Sequence, residues 1–285
     1  MALSQRKMRW LLLGPAGLWY AALLVLPLAV VLVYSFGERG AAGGYEPAFT
    51  LAQYANLGSR WAAFRNTLTL APIGTIAALL FAYPLAYYLA LRVGRQWRTL
   101  LLVLVIVPFW TSILIRSYAW IFLLGGRGIP QLLSAFGLGD FRLINTPFAV
   151  LVGIVYGYLP LMFFPIYVSL EKLDRRLLEA ADDLGTPPWR RFLQITLPLS
   201  LPGVATGSML VFILLMGEYL IPQMLGGGNV FFVGNALVDL FLQSRNWAFG
   251  SAVSITLVAI MLLVVSLYMR FLRLMGTARE DVSLM

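Results

Sequence analysis

Six runs of apolar residues, each more than twenty residues long, dominate this chain and set the terms for any fold. They lie at about 11–35, 66–91, 99–124, 147–169, 199–222 and 248–270. A run of about 20 residues is what a helix needs to cross roughly 30 Å of hydrocarbon. Only 12% of the 285 residues are charged and 60% are hydrophobic, against roughly 25% charged in soluble domains. The expected fold is therefore all-α and integral to the membrane: six transmembrane helices forming one transmembrane domain over 1–285. The first run follows Arg6, Lys7 and Arg9, as a cleaved secretory leader would. Its apolar stretch reaches from Leu11 to Phe36, well beyond the 7–15 residues of a leader core. It is expected to stay as a helix.

Composition also removes whole classes of chemistry. The chain has no Cys and no His, so disulfides, thiol catalysis and histidine-based proton relays, zinc sites and haem ligation are all excluded. The only lysines are Lys7 and Lys172, and no Gly-x4-Gly-Lys-Ser/Thr run is present. Any ATP and its Mg would be bound by another subunit, and no cofactor or metal is expected in this chain. The net charge of +9 does not point to nucleic acid, because the basic residues sit in short clusters between apolar blocks and not on one face.

Those clusters orient the spans. With a cytoplasmic N-terminus, the inner segments hold Arg6, Lys7, Arg9, Arg92, Arg95, Arg98, Lys172, Arg175, Arg176, Arg190, Arg191, Arg270, Arg273 and Arg279, 14 in all. Outside remain six: Arg39, Arg60, Arg65, Arg127, Arg142 and Arg245. Basic residues near span ends favour the cytoplasm, so both termini are expected there. The outer segment 37–65, Gly-rich at Gly40, Gly43 and Gly44, is too short to fold alone. Between Gly226 and Arg245, Val233, Ala236, Leu237, Leu240 and Phe241 fall at helical spacing. Two readings stand for it: a half-helix dipping into the membrane, or a loop with one interfacial helix.

Charge is densest between spans four and five, in the cytoplasmic loop 171–198. Leu173, Leu177, Leu178, Ala181 and Leu184 still recur at helical intervals, and Gly185 breaks the pattern. Thr186 suits an N-cap and Pro187 a first turn, with Trp189, Phe192 and Leu193 on one face of the helix that follows. Two short amphipathic helices with a sharp bend would thus present an apolar face that wants a groove on a partner. Glu179-Ala180-Ala181, three residues, Gly185, nine residues, then Ile195-Thr196-Leu197-Pro198 resembles the EAA loop of ABC importer permeases. The segments 108–124, 153–174 and 197–228, with Asn66-Thr67-Leu68 opening span two, are similar to the first permease subunit of spermidine/putrescine importers. This resemblance runs from span one to span six.

The resemblance implies a type I ABC importer permease in the bacterial inner membrane, with alternating access driven by ATP. Partners would be a second permease subunit, two ATP-binding subunits and a periplasmic substrate-binding protein, with lipid around the spans and a small organic cation as substrate: spermidine or putrescine, or alternatively another small organic solute such as an amine or amino-acid derivative. It also implies that Glu179, Ala180, Ala181 and Gly185 lie at the bend that docks in the ATPase, followed by Ile195, Leu197 and Pro198.

Charges inside spans mark where a path could run. Arg116 lies 17 residues past Thr99 and Glu218 19 past Leu199, which for straight helices puts both in the outer half. They either pair with each other and hold helices together, or line the substrate path. For a cationic substrate, Glu218 with the ring of Tyr219, Asp239 in the outer segment and the ring of Trp110 are further candidates. A secondary transporter would show ion-coupling residues and inverted repeats, and a membrane enzyme would need a nucleophile and a base. Neither pattern is legible.

Overall fold

The computed structural model describes residues 5–283, with side chains from 13 to 272. Arg6, Lys7, Arg9, Arg273 and Arg279, five of the residues used to orient the spans, have side chains outside that range. Long apolar helices occupy every run read from the sequence. They are α1 (Leu13–Tyr34), α2 (Ala52–Arg92), the pair α3 (Arg95–Trp110) and α4 (Ile113–Ala135), α5 (Pro147–Glu171), α7 (Pro188–Met216) and the apolar part of α10, Trp247–Leu272. Between them lie α6 (Arg175–Asp183), α8 (Leu220–Leu225) and α9 (Val233–Gln243). Among the described residues five helices are long and apolar enough to cross a membrane alone, and the bent α3–α4 pair passes the same test only when its two halves are taken together, which gives six if that pair is one span.

The described residues form two compact units, one of the segment up to Trp61 with Ala236–Leu262, the other of Ala62–Asn235 with the chain from Leu263 onward. In the first, the glycine-rich segment is pinned and not free. Gly44 N–H donates to the Arg245 carbonyl (2.7 Å) and Arg39 to the Ser244 carbonyl (2.9 Å). Tyr34 stacks on Tyr45 with ring centroids 4.1 Å apart. Gly43 and Gly44 hold φ of 88° and 89°, backbone that side-chain-bearing residues resist.

The second unit is built around α5 against α7. Lipid supplies no hydrophobic drive between helices, so close backbone approach and dispersion must hold them. Gly203 and Gly207, four apart on α7, provide that approach. A Cβ on Gly203 would lie 2.4 Å from the Pro165 carbonyl oxygen, and one on Gly207 2.9 Å from that of Met162. Around this seam Ile154, Met162, Phe163, Ile166 and Leu170 of α5 are buried, as are Val211, Leu215 and Met216 of α7. Gly74 of α2 faces Ile154 and Leu215 with equally little room.

Span three departs from the sequence reading. It is not one helix over 99–124 but two, meeting at 90°. Pro108 sits in the last turn of α3, Thr111 and Ser112 are extended (ψ 148° and 135°), and the Thr111 hydroxyl donates to the Pro108 carbonyl at 2.7 Å. A proline's missing N–H, then a hydroxyl taking a main-chain acceptor, together end the helix. The depth estimated for Arg116 assumed a straight helix and falls with it.

Candidate functional site

The loop after α5 folds as two helical pieces around a tight bend. Asp174 caps α6, its carboxylate accepting the Arg176 N–H at 3.0 Å. At the other end Gly185 takes φ +70°, the Gly185 N–H donates to Asp182 O (2.9 Å) and the Thr186 N–H to Ala181 O (3.0 Å). This pair of bonds is the Schellman closure, and it needs a left-handed residue at the glycine. Beyond the turn the structure corrects the sequence reading. Thr186 is not the cap; Pro187 is, and the helix starts at Pro188. Nor is the second piece a separate short helix, for it runs without interruption into span five as the first turns of α7.

That continuity requires a widened turn. Phe192–Thr196 is a π turn, placed where Pro198 leaves the Gln194 carbonyl without its usual helical donor. Ile195 lies in this turn, while Leu197 and Pro198 follow it, all half-buried. Trp189 and Leu193, four apart, stay exposed, whereas Phe192 turns away to pack edge-on against Tyr83 and Tyr87 of α2. The three aromatic and aliphatic residues thus split between two faces. Asp182 and Arg191 form an ion pair across the bend.

The apolar residue at the tip, Leu184, is 83% exposed, with Leu177 also exposed and Ala181 buried. Glu179, Ala180 and Gly185 are exposed beside it. Adding a methyl group at Gly185 meets no atom within 4 Å, so Gly185→Ala should act through backbone strain alone, about 1–2 kcal/mol. A thermal melt of the purified protein should fall by a few degrees; no change would mean that the turn relaxes freely. Arg191→Gln removes an ion pair whose Asp182 side chain is 54% exposed. Such pairs contribute about 0–1 kcal/mol, so the thermal melt should shift by no more than about 4 °C, and a larger loss would mean that the pair holds the bend.

At the other end of α7, Glu218 lies beyond the helix and not inside it, since α7 stops at Met216 and α8 opens at Leu220. The residue is buried. Its Oε1 accepts the N–H groups of Tyr219 (3.0 Å), Leu220 (2.8 Å) and Ile221 (3.2 Å), and its Oε2 accepts the Tyr158 hydroxyl of α5. Arg116 is not its partner. Among the described residues the ion pairs are Arg60–Asp239 at 2.7 Å, Arg98–Glu171 at 3.4 Å and Arg191–Asp182. The Arg116 guanidinium instead lies 5.8 Å from the Tyr156 ring centre, with Trp120 packed edge-on to that ring and Arg116 Nε buried without a hydrogen-bond partner.

The other candidates for a path are scattered. Asp239 is taken by Arg60, Tyr219 is half-exposed, and Trp110 ends α3 with 83% of its surface free. Sequence reasoning missed Tyr158 and Asn235. The Asn235 amide donates to Tyr219 O (2.8 Å) and Gln223 Oε1 (3.1 Å) and its carbonyl accepts the Phe232 N–H (3.1 Å). An Asn directly after Gly234, between the apolar residues 230–233 and 236–238, was the available signal, since a buried amide must find partners. A cavity of about 380 Å³ between α2, α7 and α10, lined by Pro72, Ile76, Leu79, Val204, Met209 and Phe212 among others, is too apolar to hold an ammonium group.

The model of the family described as binding-protein-dependent transport system inner membrane component matches residues 82–278. The spermidine/putrescine transport system permease protein PotB of Haemophilus influenzae is 41% identical over 267 residues, covering 92% of this chain and 93% of that protein. PotB of Escherichia coli strain K12 is 38% identical over 267 residues, covering 92% and 97%. A crystal structure of a bacterial alginate ABC transporter in complex with an alginate pentasaccharide-bound periplasmic protein matches with a TM-score of 0.70 at 18% identity, covering 92% of this chain and 93% of that one. At that identity the likeness speaks for the fold alone, which is that of an ABC importer permease.

Proposed function

Since this chain belongs to the family of inner-membrane components of binding-protein-dependent transport systems, we propose that it is the polyamine-conducting permease of an ATP-driven importer. It is a multi-pass protein of the inner membrane. The observation that carries the substrate class is the 41% identity to a spermidine/putrescine permease along nearly the whole of both chains. The alginate transporter shares the fold, so fold alone does not choose a substrate. The chain pairs with a second, distinct permease and with two ATP-binding subunits, and receives its cargo from a periplasmic binding protein.

In this reading both termini and the loop 171–198 are cytoplasmic. Glu179, Ala180, Ala181 and Gly185 form the bend that docks in the ATPase, with Leu184 as its apolar contact, and Ile195, Leu197 and Pro198 join the bend to span five. ATP closes the paired ATPase subunits, the docked loop moves with them, and the spans open outward to accept the cation. For an amine, the rings of Trp110 and Tyr219 and the carboxylate of Asp239 would be the attractive groups, and Arg116 would repel it. The acceptor atoms of Glu218 are occupied within the chain, which supports a supporting role for that residue and not a direct contact.

Orientation is tested in a chain that has no Cys. A single cysteine at position 180 should react with a membrane-impermeant maleimide only after the cells are opened, and one at position 42, exposed in the outer segment, should react in intact spheroplasts. The opposite pattern would remove the docking role. Substrate class is tested by uptake of radiolabelled spermidine into cells that lack other polyamine permeases. Expression of this chain with its neighbouring subunits should raise uptake at least tenfold, and excess putrescine should compete. Uptake unaffected by either amine would overturn the polyamine assignment.

A further inference from the structure

The Glu218 cluster sits where α7 hands over to α8, and α7 is itself the continuation of the loop. From Pro188 to Met216 the chain is one helix of 29 residues, about 43 Å of stiff rod. At its far end the helix stops at Gly217, and the first N–H groups of α8 would be left without acceptors, as at any helix start. A single carboxylate oxygen takes three of them, at 2.8 to 3.2 Å, while the other oxygen is held by Tyr158. Three main-chain donors on one side-chain oxygen, with the other oxygen held by Tyr158, fix the joint where a glycine would otherwise leave it loose.

The same joint carries the segment that follows. A Cβ on Gly234 would lie 2.5 Å from the Glu218 carbonyl oxygen, so the chain returns directly over the joint. Asn235 ties Tyr219 and Gln223 to Phe232. Thr67 Oγ1 accepts the Val233 N–H at 2.9 Å, and the Asn66 amide donates to Phe231 O at 3.2 Å. Thr67, Glu218 and Asn235 are all buried. These hydrogen bonds join the start of α8 and residues 231–235 into one polar knot, and the Glu218 carboxylate is the part of it nearest the end of α7.

We infer that Glu218 is a positioning residue for transport: it rigidly couples the far end of α7 to the segment 219–235, so that displacement of the loop reaches that segment. The inference rests on the importer reading. What it requires of residue 218 is hydrogen-bond geometry and not charge facing a substrate. Glutamine satisfies that requirement, because its Oε1 still accepts the three N–H groups and its amide can donate to the Tyr158 oxygen. Alanine does not.

The test uses the full complex purified through this chain and reconstituted in proteoliposomes, with uptake of labelled spermidine and ATP hydrolysis measured on the same vesicles. Glu218→Gln should keep at least half of wild-type uptake. Glu218→Ala should hydrolyse ATP at no less than half the wild-type rate while uptake per ATP falls at least tenfold and the KM for uptake stays within twofold. Tyr158→Phe, which keeps the three main-chain bonds, should lower uptake per ATP by about two- to fivefold, and it serves as the readout if the alanine variant does not assemble. A purely structural role would reduce the yield of complex without moving the ratio. Glutamine as damaging as alanine, with a raised KM, would overturn the inference in favour of a direct contact between carboxylate and amine. An unchanged ratio in both Glu218→Ala and Tyr158→Phe would also overturn it. The ratio is read on whatever solute the wild type carries, so a wild type that carries no spermidine contradicts the polyamine assignment without altering this comparison.

Discussion

Replacing Gly203 by valine is expected to leave almost no correctly assembled permease, with the yield of monodisperse complex down at least tenfold. A Cβ at this position would lie 2.4 Å from the Pro165 carbonyl, 2.6 Å from Ser169 Cβ and 3.0 Å from Ile166 Cα. Two of those three atoms belong to the backbone of α5, so no side-chain rotation relieves the clash, and α5 and α7 must separate. Ordinary overpacking of a core costs about 1–3 kcal/mol, and separation also forfeits the dispersion contacts that hold membrane helices together in the absence of a hydrophobic drive. Gly94→Val is the control, since a Cβ there meets nothing within 4 Å. Normal assembly of Gly203→Val in fluorescence-detected size-exclusion chromatography would mean that this seam is not the core of the unit.

The second large effect is expected at the bend. Gly185→Pro should abolish ATPase association while the chain still inserts. Proline fixes φ near −65°, and the native value is +70°. It also deletes the N–H that donates to Asp182 O. The turn that sets the angle between α6 and α7 cannot form, and Glu179, Ala180 and Leu184 lose their common presentation. Leu184→Asp attacks the same contact without touching the backbone, because the side chain is exposed at the tip. An aspartate there would carry charge into an apolar groove, a loss of several kcal/mol of binding unless it finds a partner. Both variants should copurify less than a tenth of the ATPase bound by wild type. Retention of ATPase by both would contradict the docking role of the bend.

Sequence reading was sufficient where hydrocarbon length alone decides. The apolar blocks coincide with helices long and apolar enough to cross a membrane, because a helix satisfies its own backbone in lipid, and Gly185 announced a turn because apolar spacing stopped there. It failed where local polar partners override that rule. Thr111 and Ser112 lie inside the apolar run 99–124, yet with Pro108 they divide it into helices at 90°. Glu218 read as a charge inside span five because its neighbours are apolar. The helix ends two residues earlier, and the carboxylate belongs to the main-chain donors of the next one. Thr186 has the chemistry of a cap, but the Schellman closure already uses its N–H, and Pro187 takes the cap position. Asn66 and Thr67 entered the reading only through resemblance to known permeases; their hydrogen bonds to residues 231 and 233 could be found only in three dimensions.

The central claim is that this chain conducts a polyamine and that a separate ATPase, engaged through the 171–198 loop, drives the movement. The most direct measurement purifies the tagged chain with its subunits, reconstitutes them in liposomes containing an ATP-regenerating system, and follows labelled spermidine delivered by the loaded binding protein. Spermidine should accumulate against a gradient in a way that requires ATP inside the vesicles, survives collapse of proton and sodium gradients, and disappears with Gly185→Pro. Accumulation that proceeds without ATP, or that stops when the ion gradients are collapsed while ATP is present, would contradict the claim.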